Sequence, residues 1–280
     1  MISIYLILTQ SLNLVMGYTG LFSLCQAAFY GIGAYLTALL MLKFNLNFFY
    51  SLIISILATS LLSFIVSIPS LRFKGDYFIL ATLGFQSIIF SILYNWVSLT
   101  RGPYGIPGIP GPSLFGFDFD SPGKFLLLSL PLSLLVILFL RLITKYQFGR
   151  VLKAIREDET ATLALGKNTF KFKITAFAIS ASISAIAGSL YATYVTYIDP
   201  TSFTISESLF LVIILAIGGS GNIKGPIIGT IVMVILPEIL RFLQIPDTIA
   251  PNVRMMIYAL ALIIIMRFKI NGIAGEYEFK

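Results

Sequence analysis

Apolar runs of about 20 residues recur from one end of this chain to the other, and no charged residue lies in the middle of any of them. Runs of this length are typical of helices that cross a bilayer, where every backbone polar group has to be satisfied within the protein. Only 11% of the residues are charged, against about 25% in an ordinary soluble domain. A soluble fold of 280 residues could not hide so much apolar surface. We therefore predict an all-α polytopic membrane protein that forms a single transmembrane domain over residues 1–280.

The apolar segments predict about eight or nine transmembrane helices, at roughly 2–16, 26–42, 49–69, 77–97, 125–143, 174–197, 207–217, 226–240 and 252–268. The first, seventh and eighth segments are short for a span, and each adjoins a glycine-rich sequence, 17–20 or 218–225. Irregular backbone is tolerated at membrane depth only where it is buried in protein or lines a cavity. We expect some of these helices to be broken or re-entrant, and an ordinary glycine turn between short spans is the alternative.

The basic residues predict the orientation of the chain. Eight of the 19 Lys and Arg residues lie within 141–173, and Arg267 and Lys269 lie at the end of the last apolar run. Because cytoplasmic loops carry an excess of Lys and Arg, this placement puts 145–173 in the cytoplasm. It also argues that the net charge of +7 reflects membrane orientation and not binding to nucleic acid. By alternation, the inner segments are 72–74, Lys224 and the C-terminus, and the outer ones are the N-terminus, 43–47, 98–124, 199–206 and 242–251.

Several kinds of chemistry are excluded by what the sequence lacks. It has no His and a single Cys, Cys25, which excludes disulfide frameworks, zinc sites and catalysis by Cys-His or Ser-His pairs. It has no GxxxxGK(S/T) sequence, so we predict that the chain binds no ATP. We expect no cofactor, no metal site and no catalytic residues, and therefore no enzyme. No carboxylate lies in the middle of a span to relay protons, so the energy for uphill transport is expected to come from a partner.

The segment 148–166 is the most distinctive part of the predicted cytoplasmic loop, which spans about 144–173. Its apolar residues Val151, Leu152 and Ile155 fall at helical spacing, and Gly166 is placed to end the helix. We predict a short amphipathic helix over 151–165, set crosswise between two spans. A solvated positive-inside loop without a partner is the alternative.

Five blocks of sequence, in one order along the chain, resemble the branched-chain amino acid permeases of ABC importers. They are 13–35, 75–83, 99–107, 149–166, and the pair 199–203 and 218–225. In the fourth block, the pattern of Glu159, Ala161 and Gly166 is similar to the loop by which these permeases dock into their ATPases, since small residues let a helix seat closely in a partner. The chain has Cys25 and Gln26 where relatives commonly have Gly-His, and Arg101 where they often have Gly. The urea permeases of ABC importers share most of these blocks.

The resemblance implies the ABC importer permease fold and a function. The chain would be a permease subunit in a prokaryotic inner membrane that moves leucine, isoleucine or valine delivered by an external binding protein. Its other partners would be a second homologous permease subunit, two cytoplasmic ATPase subunits that bind the ATP, and the lipid bilayer. Urea or another small polar solute is the alternative cargo, and a nucleotide-independent channel or facilitator is the alternative mechanism. The resemblance also implies that these residues contact the ATPases: Gly149, Arg150, Lys153, Arg156, Glu157, Glu159, Ala161 and Gly166.

The glycine-rich sequences also predict a substrate pathway. If they are helix breaks that face a cavity, their freed amides and carbonyls form a polar strip in an apolar passage. Hydroxyl groups in the neighbouring segments are candidates to contact the substrate, although Ser and Thr in spans often bond only to their own helix backbone. The predicted pathway residues are Gly17, Gly20, Ser23, Thr82, Thr100, Gly218, Gly219 and Gly221.

Overall fold

Helices make up nearly all of the regular structure in the computed structural model of this protein, which describes residues 1–114, 117–119, 121–242, 256, 259–260, 263, 267 and 272–275. In chain order the helices are α1 (Ile2–Leu12), α2 (Gln26–Phe44), α3 (Phe48–Ser70), α4 (Asp76–Asn95), α5 (Val97–Thr100), α6 (Pro122–Lys145), α7 (Gln147–Glu157), α8 (Glu159–Ala164), α9 (Thr169–Val195), α10 (Ile205–Gly218) and α11 (Lys224–Phe242). A π-helical segment (Asn13–Tyr18) continues α1, and single 3₁₀ turns lie at Gly102–Tyr104 and Pro200–Phe203. Two antiparallel pairs of two-residue strands join β1 (Ile106–Pro107) to β4 (Tyr197–Ile198) and β2 (Ser113–Leu114) to β3 (Phe117–Asp118).

The prediction of a polytopic helical membrane protein is confirmed. In the described part of the chain, five helices are long and apolar enough to cross a membrane: α2, α3, α4, α6 and α9. Three shorter apolar helices cover Ile2–Tyr18, Ile205–Gly218 and Lys224–Leu236, where the sequence predicted short or broken spans. The ninth predicted segment, 252–268, lies mostly outside the described residues. The number of crossings, eight or nine, stays a prediction.

The centre of the bundle is α9, which packs against α2, α3 and α1. Glycine permits the close approach of α2 and α9, because a Cβ atom on Gly33 would overlap the backbone of Ala185. A Cβ atom on Gly188 would likewise overlap the backbone carbonyl of Tyr30. Small residues on both helices therefore let two backbones meet in the core.

Segments that the alternation assigns to one side of the membrane contact each other. On the predicted outer side, β1 pairs with β4, and the Asn47 side-chain amide donates to the backbone carbonyl of Ser113 at 3.1 Å. On the predicted inner side, the Ile273 N–H donates to the carbonyl of Ile217 at 2.9 Å. The folded chain is therefore consistent with the predicted alternation, and the assignment of inside and outside stays a prediction.

Candidate functional site

The predicted helix over 151–165 is two helices, which corrects the sequence-based boundary. Asp158 separates α7 from α8 in an extended conformation (φ −155°, ψ 106°). Its carboxylate caps α8 by accepting from the N–H groups of Ala161 at 3.0 Å and Thr160 at 2.8 Å, and these hydrogen bonds hold the pKa of Asp158 below its usual value. An aspartate competes well with continued helix because its side chain replaces the missing backbone acceptor. The predicted stop is confirmed, since α8 ends before Gly166 at φ +74°.

The apolar side of α7 packs onto the bundle. Val151, Leu152 and Ile155 are all buried, as their helical spacing predicts. A Cβ atom on Gly149 would overlap the backbone of Thr144, so glycine permits the tight turn from α6 into α7. This loop is therefore fixed against the membrane-spanning helices.

Two cations on α7 hold the end of the first helix. The Arg156 guanidinium, on a side chain only 6% exposed, donates a hydrogen bond to the backbone carbonyl of Gly17 and pairs with Glu157 at 3.1 Å. The Lys153 ammonium lies 5.5 Å from the centre of the Tyr18 ring. A cation at the C-terminal end of a helix also complements the helix dipole. The predicted cytoplasmic loop is thus joined directly to the first predicted glycine break.

The other end of the loop is joined to α9. The Lys173 ammonium lies 2.6 Å from the Glu159 carboxylate, which also accepts from the Thr169 hydroxyl at 2.9 Å. Partial burial opposes ionisation of Glu159, but the hydrogen bonds from Lys173 and Thr169 outweigh it and leave the pKa of this carboxyl below its usual value. Glu159 is therefore charged at neutral pH, and its ion pair holds α8 against the start of α9.

Exposed apolar side chains lie on α8 and directly after its end. Leu163 is 51% exposed and Leu165 is 79% exposed, beside exposed Ala161 and Gly166. Among the other predicted coupling residues, Arg150 and Glu157 are also exposed, whereas Gly149 is buried. The predicted coupling residues therefore divide into a set that holds the loop to the bundle and a set that faces outward.

A cavity of about 640 Å³ lies between this loop and the bundle. Its charged lining residues are Lys74, Asp76, Arg156, Glu159 and Lys173. Of the predicted pathway residues, Gly20 borders this cavity. Gly20 has a φ of +72° and packs against the aliphatic part of the Arg156 side chain.

The two predicted glycine breaks pack against each other. Asn13, in the π-helical segment, accepts from the Gly221 N–H at 3.1 Å and donates to the Asn222 carbonyl at 2.7 Å. One turn earlier, the Gln10 side-chain amide donates to the carbonyl of Ile223 at 2.8 Å. A Cβ atom on Gly17 would lie 2.7 Å from the backbone nitrogen of Gly221. We call this contact between the π-helical segment and 221–223 the break clamp.

The second break is closed further by the C-terminal part of the chain. The Ala274 N–H donates to the carbonyl of Gly218 at 3.0 Å, which gives a partner to a carbonyl at the end of α10. A Cβ atom on Gly218 would overlap the carbonyl of Gly225. Gly218, Gly219 and Gly221 are all buried. These glycines are therefore packed against backbone, and their role in a substrate pathway stays a prediction.

Two of the three predicted hydroxyl residues lie close together, and the third lies apart from them. Ser23 and Thr82 lie near each other, since the Leu24 N–H donates to the Thr82 hydroxyl at 3.2 Å and Ser23 Oγ lies 3.2 Å from Cys25 Sγ. Thr100 lies at the other end of α4, where its hydroxyl donates to the carbonyl of Leu93 at 2.7 Å. All three side chains are buried and bonded within the protein.

Sequence reasoning missed a buried polar cluster at the start of α2. The Gln26 side-chain nitrogen lies within hydrogen-bond distance of the hydroxyls of Ser11, Ser180 and Ser184, and all four residues are buried. Next to it, the Ala28 N–H donates to the Gln86 side chain at 2.7 Å. A signal was available for the Ala28 contact. Helix α2 begins without a Ser, Thr, Asp or Asn cap, so its first backbone N–H groups needed acceptors from other helices.

Known proteins match this sequence over most of its length. The family model described as the permease component of branched-chain amino acid transport systems matches residues 1–266. The chain belongs to this permease family. No solved structure matches the permease.

Curated relatives of the permease carry the same description. It is 36% identical over 264 residues to the high-affinity branched-chain amino acid transport system permease protein LivM of Salmonella typhimurium, covering 86% of this chain and 62% of that protein. It is 37% identical over 261 residues to LivM of Escherichia coli, covering 85% and 61%. It is 28% identical over 314 residues to a probable LivM of Methanocaldococcus jannaschii, covering 98% and 91%. The permease spans about three fifths of the length of the first two relatives.

Proposed function

We propose that this chain is a permease subunit of an ATP-driven importer of branched-chain amino acids (leucine, isoleucine and valine) in a prokaryotic inner membrane. The likeness to LivM proteins supports the cargo and the multi-pass location. The proposed partners are a second homologous permease subunit, two cytoplasmic ATPase subunits and an external binding protein. The chain itself performs no catalysis, because ATP is bound and hydrolysed by the ATPases.

The exposure of apolar side chains on α8 and directly after it is the observation that carries this proposal. Large apolar side chains on a charged segment outside the spans are not stabilised by contact with water. Contiguous ones mark contact surfaces. Leu163 and Leu165 are of this kind, and the small residues Ala161 and Gly166 beside them let a partner surface approach closely. A partner that docks here and changes shape when it binds ATP would move α8.

The contacts of the loop support a route by which that movement would reach the membrane helices. A displacement of α8 is passed to α7, then through Arg156 to the carbonyl of Gly17, and through the break clamp to 221–223. The step from α8 to α7 runs through the backbone at Asp158, and the later steps are hydrogen bonds from Arg156 to Gly17 and between Asn13 and 221–222. The partner shifts the equilibrium between two access states only to the extent that it binds them with different affinity.

The cargo is tested by uptake measurements. Cells that express the complete importer are expected to accumulate labelled leucine and not labelled urea, and to lose this uptake when an ATPase subunit carries an inactive P-loop. Uptake of urea without leucine would contradict the proposed cargo. Leucine uptake that persists with the inactive ATPase would favour a facilitator.

A charge on α8 is expected to weaken ATPase binding. Ala161→Arg places a long cation on the proposed contact surface, where overpacking costs about 1–2 kcal/mol, or about a five- to thirtyfold loss of affinity. The measurement is the amount of ATPase that co-purifies with a tagged permease. Ala154→Arg is the matched control, because Ala154 is also exposed but lies on α7. Equal retention of the ATPase by both variants would contradict the α8 surface.

A further inference from the structure

The cavity of about 640 Å³ beside the predicted cytoplasmic loop is lined by groups of both charges and by apolar side chains. One wall is formed by α8 and the start of α9, and another by the turn from α3 into α4. The charged side chains are Lys74, Asp76, Arg156, Glu159 and Lys173, and the apolar ones include Leu71, Phe73, Phe78 and Ile79. The proposed coupling route runs through Arg156, and the turn from α3 into α4 takes no part in it.

This turn supplies a cation and an anion that are not paired within the protein. On the α8 wall the Glu159 carboxylate is already paired with Lys173 at 2.6 Å. Lys74 and Asp76 both line the cavity and are exposed, and neither belongs to an ion pair in the described part of the chain. Gly75 lies between them at φ +56°, and a Cβ atom there would meet nothing within 4 Å. The cavity therefore offers a positive and a negative group beside open space.

Apolar side chains at the start of α4 continue from the rim of the cavity along the outside of the bundle. Phe73 on the rim is 52% exposed, and Tyr77 and Leu80 in the first turns of α4 are 71% and 60% exposed. Because α4 is long and apolar enough to cross a membrane, these side chains suit contact with lipid. Exposed aromatic side chains at the end of a membrane helix are typical of the membrane–water interface. This position, on the inner side in the predicted orientation, is the depth of lipid headgroups.

We propose that the cavity binds the headgroup of a phospholipid that carries both a phosphate and a primary ammonium, the phosphoethanolamine group. The phosphate accepts hydrogen bonds from the Lys74 ammonium, and helix α4, which begins at Asp76 without a side-chain cap, leaves its first N–H groups as further donors. The ammonium of the lipid donates to the carboxylate of Asp76 or Glu159. The acyl chains lie along Tyr77 and Leu80. Basic pockets at the cytoplasmic side of membrane helices are typical sites for lipid headgroups.

The presence of both charges favours this headgroup over two others that share its phosphate. A phosphoglycerol headgroup brings no cation, so the Asp76 carboxylate would lie near the bound phosphate and repel it. A phosphocholine headgroup brings a quaternary ammonium, which has no N–H to donate to a carboxylate. A lipid that contacts Lys74 on one wall and Glu159 on the other joins α4 to α8.

Native mass spectrometry of the purified full chain tests the proposal. The detergent-solubilised chain is mixed with equal amounts of dioleoyl phosphatidylethanolamine, phosphatidylcholine and phosphatidylglycerol, and the retained lipid of each kind is measured. Retention of phosphatidylethanolamine is expected to exceed that of either other lipid at least fivefold. Because the three lipids share their tails and their phosphate, equal retention or a preference for another headgroup would overturn the proposal.

Removal of the cation locates the site. Lys74→Gln is expected to lower retention of phosphatidylethanolamine at least fivefold, because the phosphate loses its charged donor. Arg72→Gln is the matched control, since Arg72 is exposed on the same turn but does not line the cavity, and unchanged retention is expected. Unchanged retention in Lys74→Gln, or an equal loss in Arg72→Gln, would overturn the proposal.

Removal of the anion tests the choice of headgroup. Asp76→Asn is expected to abolish the preference for phosphatidylethanolamine over phosphatidylglycerol, because the carboxylate that repels a purely anionic headgroup is gone. Asp76 is exposed, so an unchanged thermal unfolding midpoint is expected to show that the variant folds. An unchanged lipid preference in the folded variant would overturn the proposal. These measurements need neither cargo nor ATP, so an error in the proposed function leaves them unaffected.

Discussion

Replacing Arg156 by leucine is expected to lower ATP-driven uptake by about a hundredfold while the chain still inserts in the membrane. The guanidinium makes the hydrogen bond that joins α7 to the carbonyl of Gly17, on a side chain that is only 6% exposed. A hydrogen bond to a charged group contributes about 1.5–3 kcal/mol, and a stranded carbonyl adds to the loss, so a total of about 3 kcal/mol corresponds to about a hundredfold. The measurement is the ratio of leucine taken up to ATP hydrolysed in membrane vesicles.

Two companion variants separate coupling from charge. Lys145→Leu removes a cation from an exposed position at the end of α6, directly before α7, and uptake is expected to fall by less than about twofold, as is usual for surface charges. Arg156→Lys keeps the charge without the planar fork of donors and is expected to restore part of the uptake. An unchanged ratio in Arg156→Leu would show that movement of α7 does not reach α1 through this bond.

Local patterns in the sequence predicted the features that depend on local physics. The long apolar runs predicted the membrane helices, and the spacing of Val151, Leu152 and Ile155 predicted the buried side of α7. The one local error, a single helix over 151–165, came from overlooking how well Asp158 caps the N–H groups that follow it. A sequence of three acidic residues at 157–159 does not by itself show which of them leaves the helix.

The features that sequence reasoning missed depend on residues far apart in the chain. Asn13 and Gly221 are 208 residues apart, and Gln26 meets Ser184 across 158 residues. No helical period or turn pattern relates such pairs. Ser91 of α4 is a similar case, because the serines of α3, α6 and α4 look alike in sequence and only the packing of the bundle shows which ones face outward.

The break clamp changes what the glycine sequences are expected to do. The sequence predicts that they line a passage, whereas the structure surrounds Gly17, Gly218 and Gly221 with backbone and side-chain amides. Close packing and a passage are compatible only if the clamp opens during transport. The strength of the clamp therefore decides whether these glycines serve the fold or the pathway.

Replacing Asn13 by leucine is expected to remove most of the folded protein from the membrane. The side chain satisfies both the N–H of Gly221 and the carbonyl of Asn222, and it is almost completely buried. Each buried polar group left without a partner costs about 1–3 kcal/mol, so two cost about 2–6 kcal/mol. Folded proteins are stable by only about 5–15 kcal/mol in total. The measurements are membrane abundance and the thermal unfolding midpoint of the purified chain.

Thr9→Val is the matched control on the same helix. The Thr9 hydroxyl pairs with that of Thr230 at 2.8 Å and with the carbonyl of Tyr5 in its own helix, so its removal leaves no buried backbone group without a partner from another helix. A loss of about 1 kcal/mol and near-normal abundance are expected. If Asn13→Leu instead leaves abundance and unfolding unchanged but abolishes uptake, the clamp is not needed for folding. The two glycine breaks would then act in transport, because the only property lost would be the polar contact between them.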